Sequence, residues 1–222
     1  MLKPRLNGIC QLINNADYAV DIGSDHAFLS IALIEQSRAK FVTNIEINQA
    51  PLDNGYKNVC AKHLEKKINF FLNDGLLNLN LNKRIDYLCI SGMGSDNIIQ
   101  IILNNKYNEV NKYILQANTD ISKLRYFLLN NDFIITNEIV ILENKHYYEI
   151  IECTKTNDKN NWSNRDYFIG PILSKSHEII TKEYLNNKFE QMKKIFNTNV
   201  NKEFKLEFET IKEFLYEKNW VS

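Results

Sequence analysis

The 222-residue sequence predicts an α/β fold, a doubly wound and mostly parallel sheet of seven strands followed by a C-terminal pair of helices. Three observations carry that expectation. Short apolar runs alternate with amphipathic stretches from residue 18 to residue 130, which is the rhythm of parallel strands with crossover helices on both faces. Two long β-type runs, 133–142 and 147–153, then flank a polar turn, so the sheet is expected to finish antiparallel. Beyond Gly170-Pro171 the pattern is helical throughout.

Taken in order, Leu2, Leu6, Ile9, Cys10 and Ile13 fall near helical spacing and stop at Asn14-Asn15, predicting a helix within 1–16. Strands are expected at 18–22, 41–46, 68–72, 85–90 and 112–116, with helices at 28–36, 51–63, 97–103 and 121–130. An Asn- and Asp-rich loop at 156–164 marks the one boundary in the chain. It divides a catalytic domain at 1–155 from a coiled-coil-like helical hairpin at 165–222. In the hairpin Ile180, Tyr184, Phe189, Met192 and Phe196 form one stripe. Phe204, Phe208, Ile211 and Leu215 form the second, with a turn at 197–201 between them. Two helices cannot enclose a core of their own, so this hairpin is expected to brace against the main domain or to serve as an RNA-contacting arm.

Bulk properties exclude several classes. No apolar run reaches the length of a membrane span, and the N-terminus lacks a signal-peptide pattern, which points to a cytoplasmic protein. Cys10, Cys60, Cys89 and Cys153 are scattered and never form a C-x-x-C pair, so neither a metal site nor a disulfide framework is expected. Basic and acidic residues balance at 27 each, which counts mildly against nucleic acid without excluding a local basic face.

The chemistry centres on Asp21-Ile22-Gly23-Ser24-Asp25-His26-Ala27, between a predicted strand and a predicted helix. Gly23 permits a tight turn and close approach of backbone to a ligand. Pyrophosphate binders want G-x-G-x-x-G, whereas this loop has one glycine and sets Asp25 where a phosphate would be repelled. An acidic loop suits a cationic cofactor such as S-adenosylmethionine. Further residues fall at successive strand ends, where a nucleoside would need them. Glu46, followed by Ile47, is placed to bind ribose hydroxyls, and Asn73-Asp74-Gly75 to meet an adenine edge. Ser91-Gly92-Met93-Gly94 leaves room for a ligand and a flat base.

The Asp21 to Ala27 string, the Gly92-Met93-Gly94 turn, Gln116-Ala117-Asn118, Tyr148-Glu149 and Gly170-Pro171 together resemble the bacterial tRNA (adenine-22 N1) methyltransferases. The resemblance runs nearly the whole chain and implies a class I methyltransferase fold, S-adenosyl-L-methionine as cofactor and tRNA as partner. Two departures are Ser95, where the family has a further glycine, and Ala117, where it has proline. Both keep a small or turn-compatible residue.

Methylating a ring nitrogen needs little acid–base help, because the lone pair is already present; the task is alignment. Gly92 and Met93 carbonyls, with Gln116 or Asn118, are the expected contacts to the Watson–Crick edge. Asp25 and His26 are candidates to orient the methionine end of the cofactor, although a histidine at a helix start is also a usual cap. Phe28, Tyr147 and Tyr148 are candidates to stack on a flipped base. Arg5, Lys3, Lys62, Lys66, Lys67, Lys83, Arg84 and Arg125 are candidate phosphate contacts. A small-molecule methyltransferase would carry the same loop around a closed pocket, and an idle binding protein would bind the cofactor without transfer. The chain is expected to act as a monomer without metal.

Overall fold

The computed structural model describes residues 2–157, 161–196 and 200–220. Its strands are β1 Ala16–Ile22, β2 Ala39–Glu46, β3 Ile68–Leu72, β4 Ile85–Gly94, β5 Val110–Thr119, β6 Phe133–Glu143 and β7 His146–Lys155. They form one sheet in the order β3-β2-β1-β4-β5-β7-β6. Neighbours from β3 through β5 pair in parallel, and β7 is inserted antiparallel between β5 and β6. Strand order reverses between β1 and β4, so a crevice opens at their carboxyl ends.

Both faces of the sheet are covered, as its apolar strands require. Helices α1 Pro4–Leu12, α2 Phe28–Glu35 and α3 Gln49–Cys60 pack on one side around Ile9, Leu33, Val42, Val59 and Cys89. Helices α4 Ser95–Asn104 and α5 Ile121–Asn130 cover the other around Val20, Leu88, Ile98, Leu115 and Leu124. Every residue of α2 from Leu29 to Ile34 is buried, because the helix is enclosed by the sheet and by α1. Helix α1 starts with proline, whose missing N–H is no loss in a first turn. It is shorter than the spacing predicts, because Ile13 is buried in an extended conformation.

Two expectations about boundaries change at the crevice. Strand β4 does not end at Ile90 but continues, bulged, to Gly94, with register shifts between Ser91, Met93 and Gly94. Helix α4 then begins at Ser95 rather than Asn97, with Gly94 as its N-cap residue.

Beyond β7, Ser163 and Asp166 form a capping box on the short helix α6 Asn164–Phe168. Helices α7 Ile179–Phe196 and α8 Lys202–Glu217 make the C-terminal hairpin. Their buried stripe runs through Leu185, Phe189, Met192, Phe208, Ile211, Phe214 and Leu215, and it closes on Val140, Ile169 and Leu173. Leu185 and Phe214 belong to it although the periodicity did not single them out. Asn201 caps α8 by accepting a hydrogen bond from the Phe204 N–H at 2.8 Å. Residues 197–199 of the expected turn, and 158–160 of the expected loop, lie outside the described residues.

Arg125 corrects the list of phosphate contacts. It is fully buried, with Nε 2.7 Å from Glu138 Oε1 and Nη2 bonded to Glu149. Burial works against its charge, but Glu138 and Glu149 outweigh that and hold it protonated. Glu138 also accepts the backbone N–H groups of Ile172 and Leu173, at 2.9 and 3.2 Å, and the Tyr184 hydroxyl donates to Glu149. Gly170, at φ +113°, passes so close that a Cβ there would lie 2.4 Å from the Glu138 carboxylate. Glu149, Gly170 and Pro171 are therefore parts of the joint between sheet and helical hairpin.

Candidate active site

At the carboxyl end of β1 the chain turns through Gly23 (φ +74°), whose N–H donates to Ile45 O at 2.9 Å. A Cβ at this position would stand 2.2 Å from Met93 Cε. The loop does not pass straight into a helix as expected. Asp25–Ala27 forms a 3-10 turn in which His26 and Ala27 both take positive φ, and α2 starts only at Phe28. Under the loop, the Ser24 and Ser30 hydroxyls donate to Asn44 Oδ1 at 2.6 and 2.5 Å. The sequence signal for Asn44 is the polar pair Thr43-Asn44 inside the apolar run that leads to Glu46.

Asp21 lies beneath this loop at 4% exposure. Burial pushes its carboxyl up to about 7, the Ser24 hydroxyl opposes the shift, and the nearby Glu46 charge adds to it. No basic side chain figures among these influences, so the pair is complementary to a cation brought by a ligand. Asp25 and His26 face solvent instead. His26 Nε2 is 3.3 Å from Asp25 Oδ1, and its ring stacks on Phe28 with centroids 5.3 Å apart.

A cavity of about 430 Å³ opens over the ends of β1, β2 and β3. Gly23, Glu46, Ile47, Asp74, Gly75 and Met93 line it. Asn97, Gln100 and Asn104 complete the wall from one face of α4, a polar repeat at helical spacing that the sequence reading passed over. Glu46 Oε1 accepts the Ile47 and Asn48 N–H groups at 3.0 and 3.4 Å, so the carboxylate is held in place with Oε2 open to a ligand. The size and the acidic lining by Glu46 and Asp74 suit a cationic nucleoside cofactor, with Asp21 buried behind the wall. Ser91 is not on this wall; it pairs with Gln116 across β4 and β5.

Next to Met93 the backbone of Gly92 is tied into a ring of side-chain amides. The Gly92 N–H donates to Gln116 Oε1 at 3.0 Å, Gln116 Nε2 donates to Asn118 Oδ1 at 3.0 Å, and Asn118 Nδ2 donates to Gly92 O at 2.7 Å. These bonds tie β4 to β5 where the bulge shifts the register. Gln116 has no exposure, so the expected contact of its amide with a base is replaced by support of Asn118, which is exposed. Arg5 Nη1 donates to Gln116 as well, and the guanidinium lies over the Tyr148 ring, 5.4 Å from its centroid. Tyr148 therefore backs Arg5.

On the far side of Asn118 a cleft of about 920 Å³ separates the start of α5 and the β6–β7 turn from the helical hairpin. Lys123, Lys145, Tyr147, Tyr184, Lys188 and Phe204 are on its walls. Tyr147 and Tyr184 pack at 5.7 Å between centroids. Glu207 of α8 accepts the Ser122 hydroxyl at 3.1 Å and pairs with Lys188 at 2.8 Å, which ties the hairpin to α5.

The cationic residues expected at phosphates are distributed differently. Lys66, Lys67, Lys83 and Arg84 precede β3 or β4 and so lie at the amino edge of the parallel sheet, opposite the cavity. Lys62 pairs with Glu35 at 2.9 Å, and Arg84 with Glu109 at 3.5 Å. Lys123, Lys145 and Lys188 come from three separate elements that the fold brings to one cleft, where Lys123 pairs with Asp96 at 2.6 Å and Lys188 with Glu207 at 2.8 Å. All four cysteines are free thiols. Among the described residues no cluster of metal-ligating side chains gathers, and no helix is long and apolar enough to cross a membrane.

The chain matches the model of the tRNA (adenine(22)-N(1))-methyltransferase family over residues 19–220. The Bacillus subtilis protein of that name is 24% identical over 215 residues, 91% of this chain and 90% of its own. A structure from M. capricolum, solved with S-adenosyl-homocysteine, is 30% identical, covers all of both chains and superposes with a TM-score of 0.83. One from Streptococcus pneumoniae, solved with S-adenosyl-L-methionine, is 28% identical with a TM-score of 0.86, over 97% of this chain and 100% of that one.

Proposed function

The chain belongs to the tRNA (adenine(22)-N(1))-methyltransferase family, and from that premise we propose how its residues divide the work of methylating N1 of a tRNA adenine. The observation that carries the reading is the junction of the two cavities. Met93 lines the smaller, Asn118 lines the larger, and Asn118 is bonded to the Gly92 carbonyl between them. A methyl donor in one and a base in the other would meet across that ridge.

In this reading residues 1–155 hold the cofactor, and 165–222 form one wall of the substrate cleft. S-adenosyl-L-methionine supplies a methyl group activated on a positively charged sulfur. Glu46 binds its ribose hydroxyls, Asp74 and Gly75 meet its adenine, and Gly23, with Asp21 buried behind it, flanks its cationic end. The protein needs no general base for the attack, because the adenine ring nitrogen brings its own lone pair. It holds that nitrogen in line with the methyl group, which is catalysis by alignment. Positive charge develops on the adenine as the bond forms. Each already accepting one bond within the amide ring, the Gly92 carbonyl and the Asn118 Oδ1 use their second lone pairs to accept from the 6-amino group, where that charge is felt.

The tRNA approaches through the cleft, with Lys123 and Lys145 near its phosphates and Phe28 beside the loop as a stacking surface. Cofactor cavity and cleft are both complete within one chain, which supports action as a monomer. Free thiols and the absence of a spanning helix among the described residues support a cytoplasmic enzyme.

The test is transfer of a labelled methyl group to unmodified bulk tRNA, followed by digestion to nucleosides. Label in 1-methyladenosine is the expected result. Label in a small-molecule fraction only, or binding without transfer, would overturn the reading.

A further inference from the structure

Arg5 sits where neither cofactor nor tRNA backbone explains it. Its guanidinium points inward, bonded to a fully buried Gln116 amide and laid over Tyr148. Its own backbone N–H is fixed by Glu143 Oε2 at 2.9 Å, and a Cβ on Gly92 would lie 3.1 Å from Nη1. The side chain is thus held from below, from behind and at its tip, next to the turn on which methyl transfer depends.

The amide ring that Arg5 touches has a direction. Gln116 Oε1 receives both Arg5 and the Gly92 N–H, so Nε2 must face Asn118 Oδ1, and Asn118 Nδ2 must face the Gly92 carbonyl. An amide reversed end for end has almost the same shape, so sterics do not set this direction. Hydrogen-bond polarity does. The Gly92 N–H and C=O set it from one side, and the reverse arrangement would need both peptides flanking Gly92 to turn over within the bulged β4–β5 pairing. Arg5 is the charged donor of the ring and cannot become an acceptor, so it excludes the reversed set.

We infer that Arg5 is a positioning residue for methyl transfer. It acts through Gln116, fixing the orientation of the Asn118 amide and the Gly92 carbonyl that face the adenine. The inference rests on the adenine-N1 reading above, and it assigns Arg5 a place other than the phosphate contact expected from its charge.

The experiment compares Arg5→Met and Arg5→Lys with the wild type in tRNA methylation, cofactor calorimetry and thermal melting. For Arg5→Met, kcat is expected to fall on the order of 100-fold, with KM for tRNA and cofactor affinity nearly unchanged. Arg5→Lys keeps a charged donor and recovers much of the rate. In a Gln116→Leu background, Arg5→Met adds little further loss, because the two act as one unit. Buried Ile9, Cys10 and Ile13 keep α1 docked, so the variants are expected to fold.

A loss carried by KM, with a shallower salt dependence, would overturn the inference in favour of a phosphate contact. So would full rate in Arg5→Met, or additive losses with Gln116→Leu. A melting change equal in Arg5→Met and Arg5→Lys, with equal loss of rate, would make Arg5 merely structural. The side-chain amide signals of Gln116 and Asn118 in a nitrogen-15 spectrum give a readout independent of turnover. They shift or broaden in Arg5→Met if the inference holds, even were the wild type inactive on tRNA.

Discussion

Arg125 and Glu138 face each other at 2.7 Å with neither side chain reaching solvent, and Glu138 in turn accepts the Ile172 and Leu173 N–H groups that lead into the C-terminal hairpin. A second carboxylate, Glu149, shares the same guanidinium, and the Tyr184 hydroxyl of α7 donates to it. Replacing one member leaves the others charged and buried. Arg125→Met is therefore expected to cost about 3–5 kcal/mol of stability, read as a lowered midpoint in urea unfolding. Tryptophan fluorescence from Trp220, whose ring packs on Phe214, would follow release of the hairpin.

Much of this architecture was legible in the sequence, because strand–helix alternation has a physical cause visible in one dimension. The apolar runs ending at Ile22, Glu46 and Leu72 became β1, β2 and β3. What stayed hidden depends on contacts across long separations. Arg125 reads as an ordinary surface cation until Glu138 and Glu149 are brought beside it. Gln116 reads as a base contact until its burial is known. The bulge that carries β4 on to Gly94 is equally invisible, since it is held by side-chain amides of β5. The turn at Gly23 after β1 is legible in its residue types, whereas the 3-10 turn at Asp25–Ala27 and the polar cluster around Asn44 are not.

Asn118 is the exposed end of the amide ring, and its removal takes away the bond to the Gly92 carbonyl. Asn118→Ala should lower kcat by about 100-fold, with cofactor affinity close to wild type. Steady-state kinetics beside calorimetry separates the two.

Glu46 is held by two backbone N–H groups with one oxygen free toward the cavity. Glu46→Ala should weaken S-adenosyl-L-methionine binding by about 10- to 100-fold, the usual loss for a charge-assisted hydrogen bond. Isothermal titration measures this directly.

If Asp21 faces the cofactor's cationic end, cofactor binding should depend on pH. Its carboxyl is raised from 3.8 to about 7 in the folded protein, so between those values the folded state holds a proton that the unfolded chain releases. This contribution to stability is present at acid pH and declines as pH rises through that window. A cationic ligand favours the ionised form, so cofactor affinity should rise from about pH 6 to about pH 8. Asp21→Asn should flatten that rise, as followed by the ligand-induced shift in melting temperature.

Lys123 and Lys145 stand on the cleft, on α5 and on the β6–β7 turn. If they meet phosphates, Lys145→Ala should weaken tRNA binding and reduce the slope of log affinity against log salt by about 1. Binding measured across a salt series checks both.

The most direct test of the account uses a single unmodified tRNA transcript and its counterpart with guanosine in place of adenine 22. After incubation with S-adenosyl-L-methionine, reverse transcription reports any methyl group on a Watson–Crick edge as an arrest. The account predicts arrest at that adenine in the first transcript, none in the second, and none with Asn118→Ala at matched times. Arrest at other positions in both transcripts, or methyl transfer to the exocyclic amine without arrest, would contradict it.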